Sequence, residues 1–432
     1  MTRPTIVWLR RDLRLADNPA LAAAVARGGP VLPLYIEDNA AAGDWQPGAA
    51  ARWWLAASLD NLATALAERG GRLVRRQGDS LAVIREIATA TGADTVFWNR
   101  RYTPAGIALD TGVKAALRAA GLEARSFQAS VLVEPMQVTG PAGSFSRFFE
   151  RWQALLRPAQ PLPAPERITT PALESDPLDL LPPDAPLRVE KLAATWAVGE
   201  MAAKARLEHF VTEAVRQYGK GRHLLAKEHV SRLSPHLAMG EISPAAVLRA
   251  VPGRRAFAFV RQLAWRDYAA CLLFREPQLP DRELFAERRA IAWRDDPSAL
   301  RAWQRGETGY DLVDAGMRQL WATGWMHNRA RMVTASFLTK HLLLDWRLGQ
   351  RWFWATLVDA DLANNAMGWQ WSASVGADAR GFVRVFDPVA QAAKFDPDGI
   401  YRRRWLGERT PPPLIVEHEA ARARALAAYG VG

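Results

Sequence analysis

Two segments concentrate the side chains that could do chemistry: Gly324-Trp-Met-His-Asn-Arg-Ala-Arg-Met332 and Asp359-Ala-Asp-Leu-Ala-Asn-Asn-Ala-Met-Gly-Trp-Gln-Trp371. Eleven of the eighteen tryptophans lie between Trp265 and Trp405, clustered around these segments. A bulky, easily oxidised indole beside Asn, Asp and Arg suits either a flat aromatic ligand or a path for electrons. In Arg261-Gln-Leu-Ala-Trp-Arg-Asp-Tyr268, residues Gln262, Trp265 and Arg266 stand three and four positions apart, and so share one helical face. Asn328, Arg331 and Met332 repeat that spacing. Two helices would then each show a cavity an aromatic or thioether surface, an amide and a guanidinium. That lining fits a ligand with a flat apolar body and hydrogen-bonding edges. Satisfied polar residues at a helix–helix contact would give the same pattern.

Asp359 and Asp361 lack a His or Cys at ligand spacing. Capping of the following helix, or an ion pair with an arginine such as Arg331, therefore outweighs a metal site. Ser231-Arg-Leu-Ser-Pro235 sets two hydroxyls ahead of a helix beginning near Pro235, a pattern that either holds phosphate or caps the helix. No Ser-His-Asp order, H-E-x-x-H or P-loop occurs, and His327 alone reads as structural. Hydrolytic and metal chemistries recede.

The elements that must position these groups fall into two kinds. Thr5–Leu9, Val31–Ile36, Arg72–Val74 and Thr95–Trp98 are short, β-rich apolar runs. Helix-length Ala/Leu segments at Pro19–Arg27, Ala50–Arg69 and Leu81–Thr91 separate them. That alternation predicts a parallel sheet with helices on both faces. No G-x-G-x-x-G follows a strand, and Gly28-Gly29 and Gly70-Gly71 read as helix ends or turns. Nine prolines between Pro158 and Pro186 predict an extended connection. After about Trp196 the period changes: Leu207, Phe210, Val211, Ala214, Val215 and Tyr218 recur at helical spacing, and no convincing strand follows. The expected organisation is an α/β domain over 1–130, a Pro-rich linker over 131–195 and an all-α domain over 196–432.

At 432 residues the chain exceeds one hydrophobic core. No apolar run is long enough to span a membrane, and charges interrupt the N-terminus where a signal peptide needs apolar residues. The single cysteine, Cys271, excludes an internal disulfide or CxxC site, and a cytoplasmic location is expected. A net charge of +11 points toward a polyanion such as nucleic acid, with genome composition the competing source of so Arg- and Ala-rich a chain.

Together these segments resemble the photolyase/cryptochrome family of flavoproteins, most nearly the microbial cyclobutane pyrimidine dimer photolyases. The likeness runs from Val7-Trp-Leu-Arg-Arg-Asp-Leu-Arg14 to Pro413-Leu-Ile-Val-Glu-His418. It is most specific at Thr308-Gly-Tyr310 through Met317-Arg318, Gly324 to Arg329 and Asp359 to Trp371. The resemblance implies a Rossmann-like antenna domain joined to a helical domain holding FAD. It implies that Tyr218, Ser231, Arg232, Leu233 and Ser234 hold the FAD phosphates. Arg266, Asp359, Ala360 and Asp361 would bind the flavin edge, Arg331 would pair with Asp359, and Asn365 would face flavin N5. Trp369, Trp346 and Trp293 match a chain that carries electrons in from the surface. Trp265 and Trp371 match walls that grip the dimer, with Gln262, Asn328 and Met332 lining the same pocket, and Arg222 and Arg384 match DNA contacts. The implied partner is DNA containing pyrimidine dimers, bound by a monomer. The lesion is flipped into the pocket, split by an electron from photoexcited reduced FAD, and the electron then returns.

Four departures stand out. Gln262 replaces the Glu usual in dimer photolyases; (6-4) photolyases carry Gln there. Those enzymes also place two histidines where this chain has Asn328 and Met332, so the dimer remains the expected substrate. His229-Val230-Ser231 replaces Gly-Thr-Ser, and Arg380-Gly-Phe-Val-Arg384 replaces Ala-Pro-Tyr-Phe-Arg. Asn99 to Gly106 lacks the Asn-Glu pair some relatives use for a folate, so a second antenna chromophore is of unknown identity. The alternatives are a cryptochrome-type blue-light receptor and (6-4) repair. The end at Gly432, soon after Val416, favours repair.

Overall fold

A computed structural model describes residues 2–140, 143–157, 160–181, 189–285, 291–378, 383–408 and 410–431. The expected α/β and all-α halves are both present. Five strands, β1 (Thr5–Leu9), β2 (Val31–Glu37), β3 (Val74–Gln77), β4 (Thr95–Asn99) and β5 (Glu123–Phe127), form a parallel sheet in the order β3-β2-β1-β4-β5. The register runs Thr5↔Val31 and Thr5↔Thr95 on the two sides of β1. Helices α1 (Pro19–Ala26), α2 (Ala49–Ala67), α3 (Ser80–Thr91) and α4 (Pro104–Ala119) make the crossovers. Because side chains alternate along a strand, Ile6 and Trp8 join the core under α3 and α4, with Ile84, Ile87, Val113 and Leu117. Val7 and Leu9 face the other way, into the larger core that continues into the helical half.

Two expectations need adjusting. The third strand begins at Val74 rather than Arg72, because Val74 pairs with Leu34 while Gly70 and Gly71 close the preceding helix. The segment 131–195 is not a plain strap. Helix α5 (Phe145–Leu155) packs on the helix Phe257–Arg275, and Val189–Thr195 is a further helix. The Pro-rich stretch between them does run extended where described. It lies along the α/β half through Ile168 N to Arg69 O (2.9 Å), Val31 N to Thr169 O (2.9 Å) and Asp176 N to Arg75 O (2.9 Å). Residues 158–159 and 182–188 of that stretch lie outside the described residues, as do 380–382 of the Arg380–Arg384 motif.

The halves dock closely. Leu13 N donates to Met239 O (3.3 Å), Arg14 Nη1 to Gly240 O (2.9 Å) and Trp54 Nε1 to the fully buried Glu241 (3.0 Å). Glu241 also accepts from Gly199 N (2.9 Å) and contacts Ser58 and His236, so the buried carboxylate is fully engaged.

Candidate flavin and DNA-lesion site

The helix Leu362–Ala373 opens with Asp361 as its N-cap, whose carboxylate accepts from Asn364 N (2.9 Å) and Asn364 Nδ2 (2.7 Å). The capping reading of the sequence therefore holds for Asp361. Asp359 takes the ion-pair reading: Arg331 Nη2 donates to its Oδ2 at 2.8 Å, while Arg331 Nε holds Met326 O at 2.8 Å. The Asp359 Oδ1 is buried and has no hydrogen-bond partner among the described residues. A buried, orphaned carboxylate oxygen is costly unless something donates to it. A flat heterocycle with N–H groups on its edge supplies such donors, so the residues present fit a flavin. Asn365 Nδ2 is anchored on Gln350 O (3.0 Å).

Gln262, Trp265 and Arg266 lie on the helix Phe257–Arg275 as the spacing requires. Arg266 is drawn toward the domain junction, contacting Ser130 O and donating to Leu237 O (3.3 Å). Trp265 has one face covered by Phe145, parallel at 3.7 Å with 6° between planes, and the ring stays part-exposed. Next to Arg266, the buried Asp267 accepts from Leu132 N (2.9 Å), Val133 N (3.0 Å) and Trp152 Nε1 (2.8 Å). Burial raises its pKa to about 6 against those bonds. Asp267 fixes α5, and hence Phe145, beneath Trp265; its place beside Arg266 was the signal that sequence reading passed over. Asn328 is exposed, with its Nδ2 3.7 Å from Met332 Sδ, and Gln262 Nε2 reaches only Ala258 O at 3.4 Å. Both amide ends are thus weakly committed. Trp371 carries the Arg384 guanidinium 5.9 Å from its ring centre.

The phosphate-holding segments also meet. A Cβ on Gly221, in the turn Tyr218–Gly221, would strike the His229 ring, which places that turn against the run leading to Ser231. The Tyr218 ring packs among Phe210 and Phe259, with Arg222 5.7 Å above it. Ser231 Oγ accepts from Leu233 N (3.3 Å), and Ser234 Oγ accepts from Trp325 Nε1 (3.2 Å), leaving both hydroxyl protons available. Arg232 sits between these two serines. Its backbone is left-handed (φ 53°) and its guanidinium lies over Trp196 (4.7 Å) and Trp325 (5.1 Å), so its charge is turned toward indoles.

Trp369 (2% exposed) and Trp346 (0%) are buried, and Trp293 is half-buried. Trp369 lies against Gly349, three residues along the helix that Trp346 begins. Arg294 N donates to Leu343 O (2.8 Å), which brings Trp293 beside the approach to Trp346. Sequence reading missed Trp303, fully buried and edge-on to Trp369 at 6.1 Å.

A cavity of about 450 Å³ lies between the halves. Trp8, Tyr35, Trp45 and Tyr102 line it from the α/β side, and Arg266 and Asp361 reach it from the other.

Comparison with known proteins gives this arrangement its context. Residues 5–166 match the family model for DNA photolyase, and residues 259–425 match the FAD binding domain of DNA photolyase. The chain belongs to the photolyase/cryptochrome family. It is 44% identical to the deoxyribodipyrimidine photo-lyase of Agrobacterium fabrum, over 99% of this chain and 98% of that one. It is 38% identical to cryptochrome-1 of Arabidopsis thaliana, over 95% of this chain and 63% of that one. The crystal structure of a bacterial class III photolyase from Agrobacterium tumefaciens superposes with a TM-score of 0.94 at 42% identity, covering 100% and 98% of the two chains. An archaeal photolyase from Sulfolobus tokodaii, solved with two FAD molecules and an implied light-harvesting cofactor, superposes at 0.83 with 27% identity, covering 99% of each.

Proposed function

We propose that this protein is a light-driven DNA repair lyase that splits cyclobutane pyrimidine dimers, the reading carried above all by the Asp359–Arg331 pair, whose buried carboxylate oxygen has no partner among the described residues. Reduced FAD, when bound and excited by light, supplies the electron that opens the cyclobutane ring and takes it back afterwards. The chain's own residues do the rest. Asp359 accepts from the flavin edge while Arg331 holds that carboxylate in orientation. Asn365 offers its amide oxygen, since its nitrogen is held by Gln350 O. Ser231 and Ser234 donate to phosphate with hydroxyl protons that no acceptor among the described residues claims.

Trp265 and Trp371 bound the space for the extruded pyrimidine dimer, and Gln262 and Asn328 present amides to its carbonyls. Excess positive charge, with Arg222 and Arg384 near the pocket, draws in the phosphates flanking the lesion, so affinity falls as salt rises. Trp369, Trp346 and Trp293 lead electrons inward to refill oxidised flavin. The interdomain cavity would take the second chromophore, whose aromatic lining suits a flat ring system. The protein acts as a cytoplasmic monomer; no described helix is long and apolar enough to cross a membrane.

The experiment is to reduce the purified protein anaerobically, add oligothymidine containing dimers, and follow the ultraviolet absorbance of intact thymine in light and in darkness. A rise in light alone supports the proposal. No rise with reduced flavin bound would transfer the assignment to (6-4) repair or to light sensing, the reading that the likeness to cryptochrome-1 favours.

A further inference from the structure

The Asp359–Asp361 turn is not held by its own domain alone. Arg11, just past the end of β1 in the α/β half, sends its Nη1 across the junction to Ala360 O at 2.9 Å. Ala360 is 1% exposed and lies between the two carboxylates placed at the flavin edge. Arg11 is itself set with little freedom. Gly240 approaches so closely, in a left-handed conformation (φ 70°), that a Cβ there would land on the Arg11 carbonyl. Leu13 N and Arg14 Nη1 then bind Met239 O and Gly240 O on the same strip. Burial lowers the Arg11 pKa, and Asp361 is the largest charge opposing that shift. One guanidinium thus touches the turn's carbonyl and feels its second carboxylate, while its other side opens into the interdomain cavity.

We propose that Arg11 is a positioning residue of the flavin site: by holding the Ala360 carbonyl from the antenna domain, it sets where Asp359 and Asp361 meet the flavin. A hydrogen bond from a charged donor to a buried carbonyl is among the stronger kind, and its loss frees a turn whose geometry decides two ligand contacts. The role belongs to the bond rather than to the domain contact as a whole. Arg14 serves as the comparison, since it joins the same halves without touching the turn.

The test uses the flavin-loaded protein and three variants: Arg11→Met, which keeps the stem and removes the donor; Arg11→Gln, which keeps a donor; and Arg14→Met. Flavin release is followed by the fluorescence of free flavin, together with the midpoint potential of bound flavin and the thermal midpoint. Arg11→Met should release flavin about ten-fold faster and shift the potential, as loss of one strong bond implies. Arg11→Gln should recover most of both. Arg14→Met should lower the thermal midpoint and leave both flavin readouts in place. Wild-type release and potential in Arg11→Met would overturn the proposal, and so would equal flavin effects from Arg14→Met. Should Arg11→Met fail to fold, Arg11→Gln decides: a lowered thermal midpoint with wild-type flavin release and potential would assign Arg11 to domain docking alone, whereas a residual flavin shift at a wild-type thermal midpoint upholds the positioning role.

Discussion

At the scale of single residues, the site separates groups that must be charged from groups that need only a hydrogen bond. Gln262 belongs to the second kind: its amide is nearly uncommitted and can donate to a thymine carbonyl. Gln262→Glu should therefore raise or preserve dimer repair, measured as thymine recovered per light dose; a clear loss would mean the pocket is shaped around another lesion. Asp359 and Arg331 belong to the first kind. Arg331→Met should leave a buried carboxylate unpaired and cost about 3–5 kcal/mol of stability in the flavin-free protein, read by denaturant unfolding. A change under about 1 kcal/mol would show that solvent reaches Asp359 freely. Trp369→Phe removes a buried member of the electron path and keeps an aromatic ring in its place. Photoreduction of oxidised flavin should vanish while repair by prereduced enzyme persists, and unchanged photoreduction would mean electrons enter by another route.

At the scale of elements, close packing between helices places the aromatic rings. Gly349 has no room for a Cβ, because Trp369 and Leu338 occupy that space. Gly349→Ala would remove helix entropy cost but force the indole aside, and overpacking of this kind costs about 1–3 kcal/mol. Lower stability together with slower flavin photoreduction is expected; normal photoreduction in a destabilised variant would separate Trp369 position from electron flow. The spacing of Gln262, Trp265 and Arg266 made their common face legible in the sequence, since helical periodicity is local. Their partners were not legible. Phe145 meets Trp265 and Leu132 meets Asp267 over separations of more than 100 residues, and no local pattern encodes such contacts. Strand β5, Glu-Ala-Arg-Ser-Phe, escaped notice because an edge strand buries few of its side chains.

At the scale of the whole molecule, buried histidines tie stability to pH. Burial lowers His327 and His341 to about 4, with Arg329 and His418 respectively adding to the shift. Each is neutral when folded and binds a proton more readily when unfolded, near 6.5. The stability they contribute is complete above that value and is lost as the pH falls from about 6.5 to about 4. His223, also lowered to about 4, is only part-buried and adds less. Asp267, raised to about 6, works in the opposite direction over the lower part of the same range. Burial also raises Glu283 and Asp314, by less than Asp267, so three carboxylates oppose the histidines. With the histidine shifts the larger, the protein should unfold at lower denaturant concentration at pH 4.5 than at pH 7. His327→Gln should flatten that dependence, and an unaltered slope would remove His327 from the account.

The sequence by itself determined the two-part architecture, because strand alternation, helical periodicity and proline content are written locally. It also determined the family, through motifs whose order and spacing survive along the whole chain. Its local chemistry was enough to set Asp361 as a cap and to propose Arg331 as the partner of Asp359. Only the tertiary structure decided that Arg232 turns to indoles, that Asp267 anchors α5, and that Arg11 crosses from one half to hold a carbonyl of the other. Those outcomes depend on which surfaces meet when both halves bury their apolar faces together. A charged side chain cannot follow into that contact unless a specific partner across it satisfies the charge.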